Sequence, residues 1–182
     1  MEKNNFIKLL FSIIVCEMAG IIGSIFTVPS IKLWYATLNK PAFNPPNWIF
    51  GPVWTTLFLL MGISFYIVWS KKFAVRQSAK VLKIKAWNRW SQKLWTGSWQ
   101  KINVISIFIL QLVLNICWSL IFFGMHLPGI AFFELLMLWF AILYTIINFH
   151  RISKLASYLL LPYLLWVTFA ALLNLSISLL NP

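Results

Sequence analysis

The chain has 182 residues, 61% of them hydrophobic and 18% aromatic, with only 10% charged. That leaves too few polar residues to cover a water-soluble domain, and predicts an integral membrane protein folded as one bundle over residues 1–182. The formal charge of +12 sets 15 bases against Glu2, Glu17 and Glu134; the bases lie between apolar runs, so membrane topology accounts for them and no nucleic-acid partner is expected.

A first membrane span is expected over residues 6–28, after Lys3 and Lys8. It is long for the apolar core of a signal peptide, carries Glu17 and lacks an A-x-A cleavage site, so it reads as a retained helix. Ala19, Gly23 and Thr27 recur every four residues, with Gly20 beside them; small residues at this spacing let another helix approach closely. Glu17 is costly in lipid and should face the bundle interior or lie near an interface. Pro29 is expected to end the helix. The connection that follows, roughly 19 residues long, holds Lys32, Trp34, Tyr35, Lys40, Pro41, Pro45 and Pro46; connections of that length are often functional lids.

The second span is expected over residues 48–70. Its roughly 22 uncharged residues cover about 33 Å, enough to cross a bilayer core. Trp48 and Trp54 lie near one end and Tyr66 and Trp69 at the other, as interfacial aromatics do. Pro52 is placed in the first turn, where a missing N–H costs least. Residues 71–101 form the only strongly polar region, with nine basic residues and no acid. Trp87, Trp90, Leu94 and Trp95 share one helical face, with Lys83, Lys85, Arg89 and Lys93 around them. Two readings fit: a helix lying aromatic face down on an anionic membrane surface, and a solvated basic loop.

The third span is expected over residues 102–124. Gln111, Asn115 and Ser119 form a polar stripe with Trp118 beside it, suited to interhelical hydrogen bonds or to ligand contact. The fourth span, residues 130–149, carries Glu134 near its start and is followed by His150, Arg151 and Lys154. The fifth, residues 155–180, has Pro162 in its first third. There Trp166, Ala170, Leu173 and Asn174 share a face, with Ala170 a gap of the kind a cavity wall has. Cys16 and Cys117 lie inside apolar runs without metal-ligand spacing and read as packing residues. Five spans put the amino terminus and the second and fourth connections on one side, with thirteen bases, against Lys32 and Lys40 on the other. The positive-inside rule then predicts a cytoplasmic amino terminus, with the proline-rich connection and carboxyl terminus outside, in a bacterial inner membrane.

Several stretches point to one family. KPAFNPPNWIFGPVW, Lys40 to Trp54, resembles the K-P-x-W-x-P-P-x-W-x-x-x-P-V-W signature of the TspO/translocator-protein family, also called tryptophan-rich sensory proteins or peripheral benzodiazepine receptors. WYATLNKP just upstream resembles that family's WYxxLxKP lead-in. QLVLNICWSLIFFG, from Gln111, is similar to its third-helix motif, and LLLPYLLWVTFAALLN, ending at Asn174, to its fifth-helix motif. The similarity runs over residues 12–174 apart from the middle loop.

The resemblance implies an all-α five-helix membrane bundle, often a homodimer, with a pocket under the first connection. It implies porphyrin ligands such as protoporphyrin IX or haem and no required cofactor. Animal members also bind cholesterol and benzodiazepine-type drugs, and some bacterial members promote light-dependent porphyrin breakdown. The family's pocket positions fall on Ser24, Phe50, Gly51, Trp54, Asn115, Trp118, Trp166, Ala170 and Leu173, and its fourth-helix acid on Glu134. The chain departs from the pattern at Phe43, where the signature has tryptophan, and at Ile130, in place of a pocket tryptophan. At Leu175 the animal sterol motif has tyrosine, and no base follows.

A flat apolar macrocycle with carboxylate arms suits aromatic walls: Trp54, Trp118 and Trp166 could stack on it while Asn115 offers hydrogen bonds. His126 and His150, at span ends, could ligate haem iron, but lone histidines at interfaces are more often anchors or solvated, and no metal site is expected. The first functional reading is a tetrapyrrole-binding protein for sensing, sequestration or transport. The second is an enzyme for photo-oxidative porphyrin breakdown, with Trp54 and Trp166 as candidate catalytic groups supplying electrons or radicals. The third is a transporter of another small amphipathic molecule, against which stands the lack of an inverted repeat. The sequence holds no hydrolytic triad, metal cluster or phosphate loop, so in an enzyme the ligand would carry the chemistry.

Overall fold

The computed structural model describes residues 3–70 and 97–182. The tryptophan-rich basic segment 71–96, and with it the surface-helix expectation, lies outside the described residues. No strand occurs among the described residues, and five helical stretches are long and apolar enough to cross a membrane: Asn4–Leu33, Asn47–Ser70, Val104–Gly124, Pro128–Ile152 and Lys154–Leu180. The protein is thus an all-α, multi-pass integral membrane protein built as a five-helix bundle.

The first helix, α1 (Lys3–Leu33), does not stop at Pro29. Proline removes one backbone donor, but the turn beyond is held from outside: the Ser30 hydroxyl donates to the Phe123 carbonyl at 2.6 Å. A single 3₁₀ turn at Tyr35–Thr37 and the proline-rich strap then lead to α2 (Asn47–Ser70). Pro52 lies in the second turn of α2 rather than the first, because the helix already begins at Asn47.

Helix α3 (Gly97–Ser119) begins before residue 102 and ends in a wide π turn, Leu120–Gly124, closed by the Met125 N–H donating to the Leu120 carbonyl at 2.8 Å. The extra residue lets both Phe122 and Phe123 be buried. His126, with φ of 58°, takes the left-handed conformation that reverses the chain into α4 (Pro128–Ile152). The fifth span is broken into α5 (Lys154–Leu159) and α6 (Leu161–Leu180). Pro162 cannot donate to the Tyr158 carbonyl, which explains the break.

The spans close into a ring in the order first, second, fifth, fourth, third. Without a hydrophobic driving force between helices in lipid, close packing and hydrogen bonds hold the ring. At Gly62 an added Cβ would lie 2.7 Å from the Ile13 Cα, so α1 and α2 meet almost backbone to backbone. Phe65 and Phe108 stack at 4.6 Å in the core, and the Ser64 hydroxyl donates to the Ala156 carbonyl at 2.7 Å, fastening α2 to α5.

Candidate functional site

α1 and α2 are tight at Gly62 and at Gly20, where a Cβ would meet the Phe58 ring at 2.5 Å. At Gly51 they leave open space, and a Cβ placed there would meet nothing within 4 Å. Between these two helices and α3 and α6 lies a cavity of about 480 Å³. Its α1 wall is one helical stripe, Glu17, Gly20, Ser24, Val28 and Ile31, with Gly23 and Thr27 beside it. Phe50, Gly51, Trp54 and Phe58 come from α2, Asn115, Trp118 and Ser119 from α3, and Trp166, Ala170, Leu173 and Asn174 from α6. Tyr35, Phe122 and Phe123 close the lid end.

Nine of the positions that the family resemblance assigned to a pocket line this one cavity: Ser24, Phe50, Gly51, Trp54, Asn115, Trp118, Trp166, Ala170 and Leu173. Glu134 does not. It sits on α4, which contributes no lining residue, and its carboxyl is buried with neither oxygen hydrogen-bonded among the described residues. Ile130, also on α4, is exposed on the outside of the bundle. The polar stripe of α3 divides: Asn115 and Ser119 reach the cavity, while Gln111 is fully buried without a partner for its amide among the described residues. His126 and His150 lie outside the lining. His126 stacks on Trp34 at 4.4 Å, and His150 Nδ1 is 3.0 Å from the Ser157 hydroxyl.

The aromatic wall is mutually supported. Trp54 packs against Phe58 at 5.7 Å and Trp118 at 6.4 Å between ring centroids, and Phe50 meets Trp166 edge-on at 5.9 Å. Polar neighbours orient two members. The Asn115 amide donates to the Tyr163 hydroxyl at 3.0 Å. Asn174, with its amide turned to satisfy both atoms, donates to the Pro128 carbonyl at 2.8 Å and accepts from the Trp118 indole at 3.1 Å. The Trp166 indole N–H is buried with no partner among the described residues.

Sequence reasoning put Asn174 on one face with Trp166, Ala170 and Leu173, and Ser119 in a stripe suited to ligand contact or interhelical bonds, and both line the cavity; it placed Glu17 only as an interior or interfacial acid. The signal for Glu17 was present: it lies three and seven residues before Gly20 and Ser24, on the face that lines the cavity.

The lid is latched at two places. The Asn39 N–H donates to the Asn181 side-chain oxygen at 2.9 Å, and the Asn181 amide returns a bond to the Asn39 carbonyl at 3.0 Å. The Tyr35 hydroxyl donates to the Asn44 side chain at 2.7 Å, and the Lys40 ammonium lies 5.0 Å from the Tyr35 ring. Burial pushes the Tyr35 phenol up to about 12 from a reference of 10.0, so it stays a donor at neutral pH. Between those values the folded chain keeps a proton that the unfolded chain loses, so the lid's contribution to stability falls as pH rises. A phenolate absorbance titration with midpoint about 12 is expected, and Tyr35→Phe should remove it; a midpoint at the reference value would mean that Tyr35 is open to water.

Comparison with known proteins matches the same helices. The TspO/MBR family model fits residues 12–180. The tryptophan-rich protein TspO of Archaeoglobus fulgidus is 40% identical over 177 residues, 97% of this chain and 99% of that protein. The tryptophan-rich protein TspO of Chlorobaculum tepidum is 42% identical over 170 residues, 92% of this chain and 91% of its own length. The human translocator protein is 36% identical over 153 residues, 84% of this chain and 78% of that protein. With the family pattern reaching from before Glu17 to beyond Asn174, and so across every wall of the cavity, the chain belongs to the TspO/MBR family.

Proposed function

We propose that this protein binds a porphyrin-type tetrapyrrole within the membrane, in sensing, sequestration or transport. The observation that carries the reading is the cavity itself: about 480 Å³, walled by Trp54, Trp118 and Trp166 and bordered by a latched lid. That volume is in the range of small-molecule sites, and indole faces suit a flat conjugated ring. Among the described residues no histidine or cysteine lines the cavity, so a haem iron would find no axial nitrogen or sulfur ligand from them. The metal-free macrocycle, protoporphyrin IX, is therefore the better fit of the two.

The same reading places the protein in a bacterial inner membrane as a homodimer. The distribution of basic residues supports a cytoplasmic amino terminus, with the lid and carboxyl terminus outside. A second reading, light-dependent oxidation of the bound porphyrin with dioxygen as the electron acceptor, is favoured by the tryptophans against the cavity, with Trp54 and Trp166 as transient relays of electrons or radicals that are restored within the cycle.

The test is a titration of the purified protein with protoporphyrin IX, in the dark and under light, beside a Trp54→Phe/Trp166→Phe variant. Saturable dark binding with tryptophan quenching, and no bleaching beyond that of free porphyrin, is the expected result. Light-dependent loss of the porphyrin band that the variant lacks would establish the second reading. An absence of saturable binding would remove tetrapyrroles as ligands and leave a carrier of another amphipathic molecule, testable by flux in proteoliposomes.

A further inference from the structure

Two large polar side chains are buried in the bundle away from the cavity lining, and they flank a single hydrogen bond. Glu134 stands on the inward stripe of α4 with Ala131, Leu138, Ala141 and Thr145. It is 8% exposed, and neither carboxyl oxygen has a partner among the described residues. Gln111 on α3 is fully buried, with both amide atoms unpartnered among the described residues. Between them the Asn115 amide donates to the Tyr163 hydroxyl at 3.0 Å, joining α3 to α6. Gln111 lies one turn, about 6 Å, before Asn115 on the same face of α3. Glu134 lies beyond that pair: it interacts electrostatically with Cys117, just past Asn115 on α3, and with Tyr163 on α6.

We propose that Glu134 and Gln111 are the two ends of a bound-water seam between α3, α4 and α6, in which internal waters join the Glu134 carboxyl and the Gln111 amide to the Asn115–Tyr163 pair. A buried donor or acceptor left without a partner costs about 1–3 kcal/mol, and a carboxylate more. Lipid around the bundle offers no hydrogen bond in exchange. A buried water makes about three hydrogen bonds, and buried groups of this kind are its usual partners. The pair in the middle suits that role, since the Tyr163 hydroxyl accepts from Asn115 and keeps its own proton to donate. The carboxyl and the amide then supply acceptors on one side and both donors and an acceptor on the other. The seam gives α4, which contributes no lining residue, a hydrogen-bonded route to Asn115 in the cavity wall. It also seats α4 against α3 and α6 by directed bonds, where apolar packing alone would allow it to slide.

Thermal unfolding and infrared absorption of the full-length protein in detergent test it. Glu134→Leu and Gln111→Leu should each lower the unfolding midpoint by roughly 4 °C or more, because each strands the waters and the groups they serve. Glu134→Gln keeps a donor and an acceptor, and should melt within about 2 °C of the wild type. Glu134→Leu combined with Tyr163→Phe should lower the midpoint by clearly less than the sum of the two, since either one opens the same bridge. In the infrared, the carboxyl band that Glu134→Gln removes should lie at the frequency of a hydrogen-bonded group. Internal-water bands, marked by their shift in oxygen-18 water, should change in the same variant. Leucine variants as stable as the wild type, or more so, would overturn the seam, because an apolar side chain relieves a group that is merely dry and unpaired. Additive losses in the double variant would overturn the bridge to Tyr163. Should the leucine variants not fold, the infrared decides: a Glu134 band at the frequency of a free carboxyl, or water bands that Glu134→Gln leaves unchanged, overturns the proposal.

Discussion

Replacing Ala170 with phenylalanine is expected to weaken protoporphyrin binding by at least about 100-fold, roughly 2.7 kcal/mol, while the bundle stays folded. Ala170 is 9% exposed and stands on the α6 face between Trp166 and Leu173, all three lining the cavity. Its methyl group is the smallest side chain on that wall, so a ring placed there enters the volume that a macrocycle would occupy. The added atoms grow into empty space rather than into a packed core, which keeps the cost to the fold below the roughly 1–3 kcal/mol of ordinary overpacking. Fluorescence titration of Ala170→Phe beside Ala170→Gly separates the two effects, because the glycine variant keeps the space open. Unchanged affinity in the phenylalanine variant would place the ligand outside this cavity.

Gly62→Leu should instead damage the fold. A Cβ at this position would lie 2.7 Å from the Ile13 Cα and 3.1 Å from the Ile13 nitrogen. Those are backbone atoms, so no rotamer change relieves the contact and α1 must move away from α2. A loss of about 3 kcal/mol is expected, the upper end of overpacking costs. The measurement is the midpoint of thermal unfolding in detergent, followed by circular dichroism. Gly51→Ala is the matched comparison, since a Cβ there meets nothing within 4 Å. Gly20→Ala should fall between them, because its nearest obstacle is the Phe58 ring, a side chain that can give way. If Gly62→Leu and Gly51→Ala melted together, the close approach of α1 and α2 would not be a source of stability.

Much of this architecture was legible from residue order. The five spans follow from apolar runs of bilayer length with at most a charge or two, which need no knowledge of packing. Pro29 misled because proline predicts a lost hydrogen bond, whereas the helix continues through a bond made 93 residues away, from Ser30 to Phe123. The cavity was legible mainly through family motifs. Spacing alone puts Gln111, Asn115 and Ser119 on one face, yet Gln111 points into the core and only the other two reach the cavity. Glu134 shows the harder limit. On a helix apolar all round, hydrophobic periodicity does not say which neighbour an acid faces, and α4 leaves this one outside the cavity lining. Glu17 was the converse case, since its place in the lining depends on the small residues of α1 facing open space rather than another helix.

The latch between Asn39 and Asn181 ties together residues 142 positions apart. A ribosome delivers them in that order: the lid emerges before α2, its fastening only after the last turn of α6. Until Asn181 arrives the strap over the cavity has nothing at that end to hold. Completion of the roof therefore waits on the end of α6, and a chain stalled or clipped before Asn181 would carry every wall of the chamber with its cover unfastened.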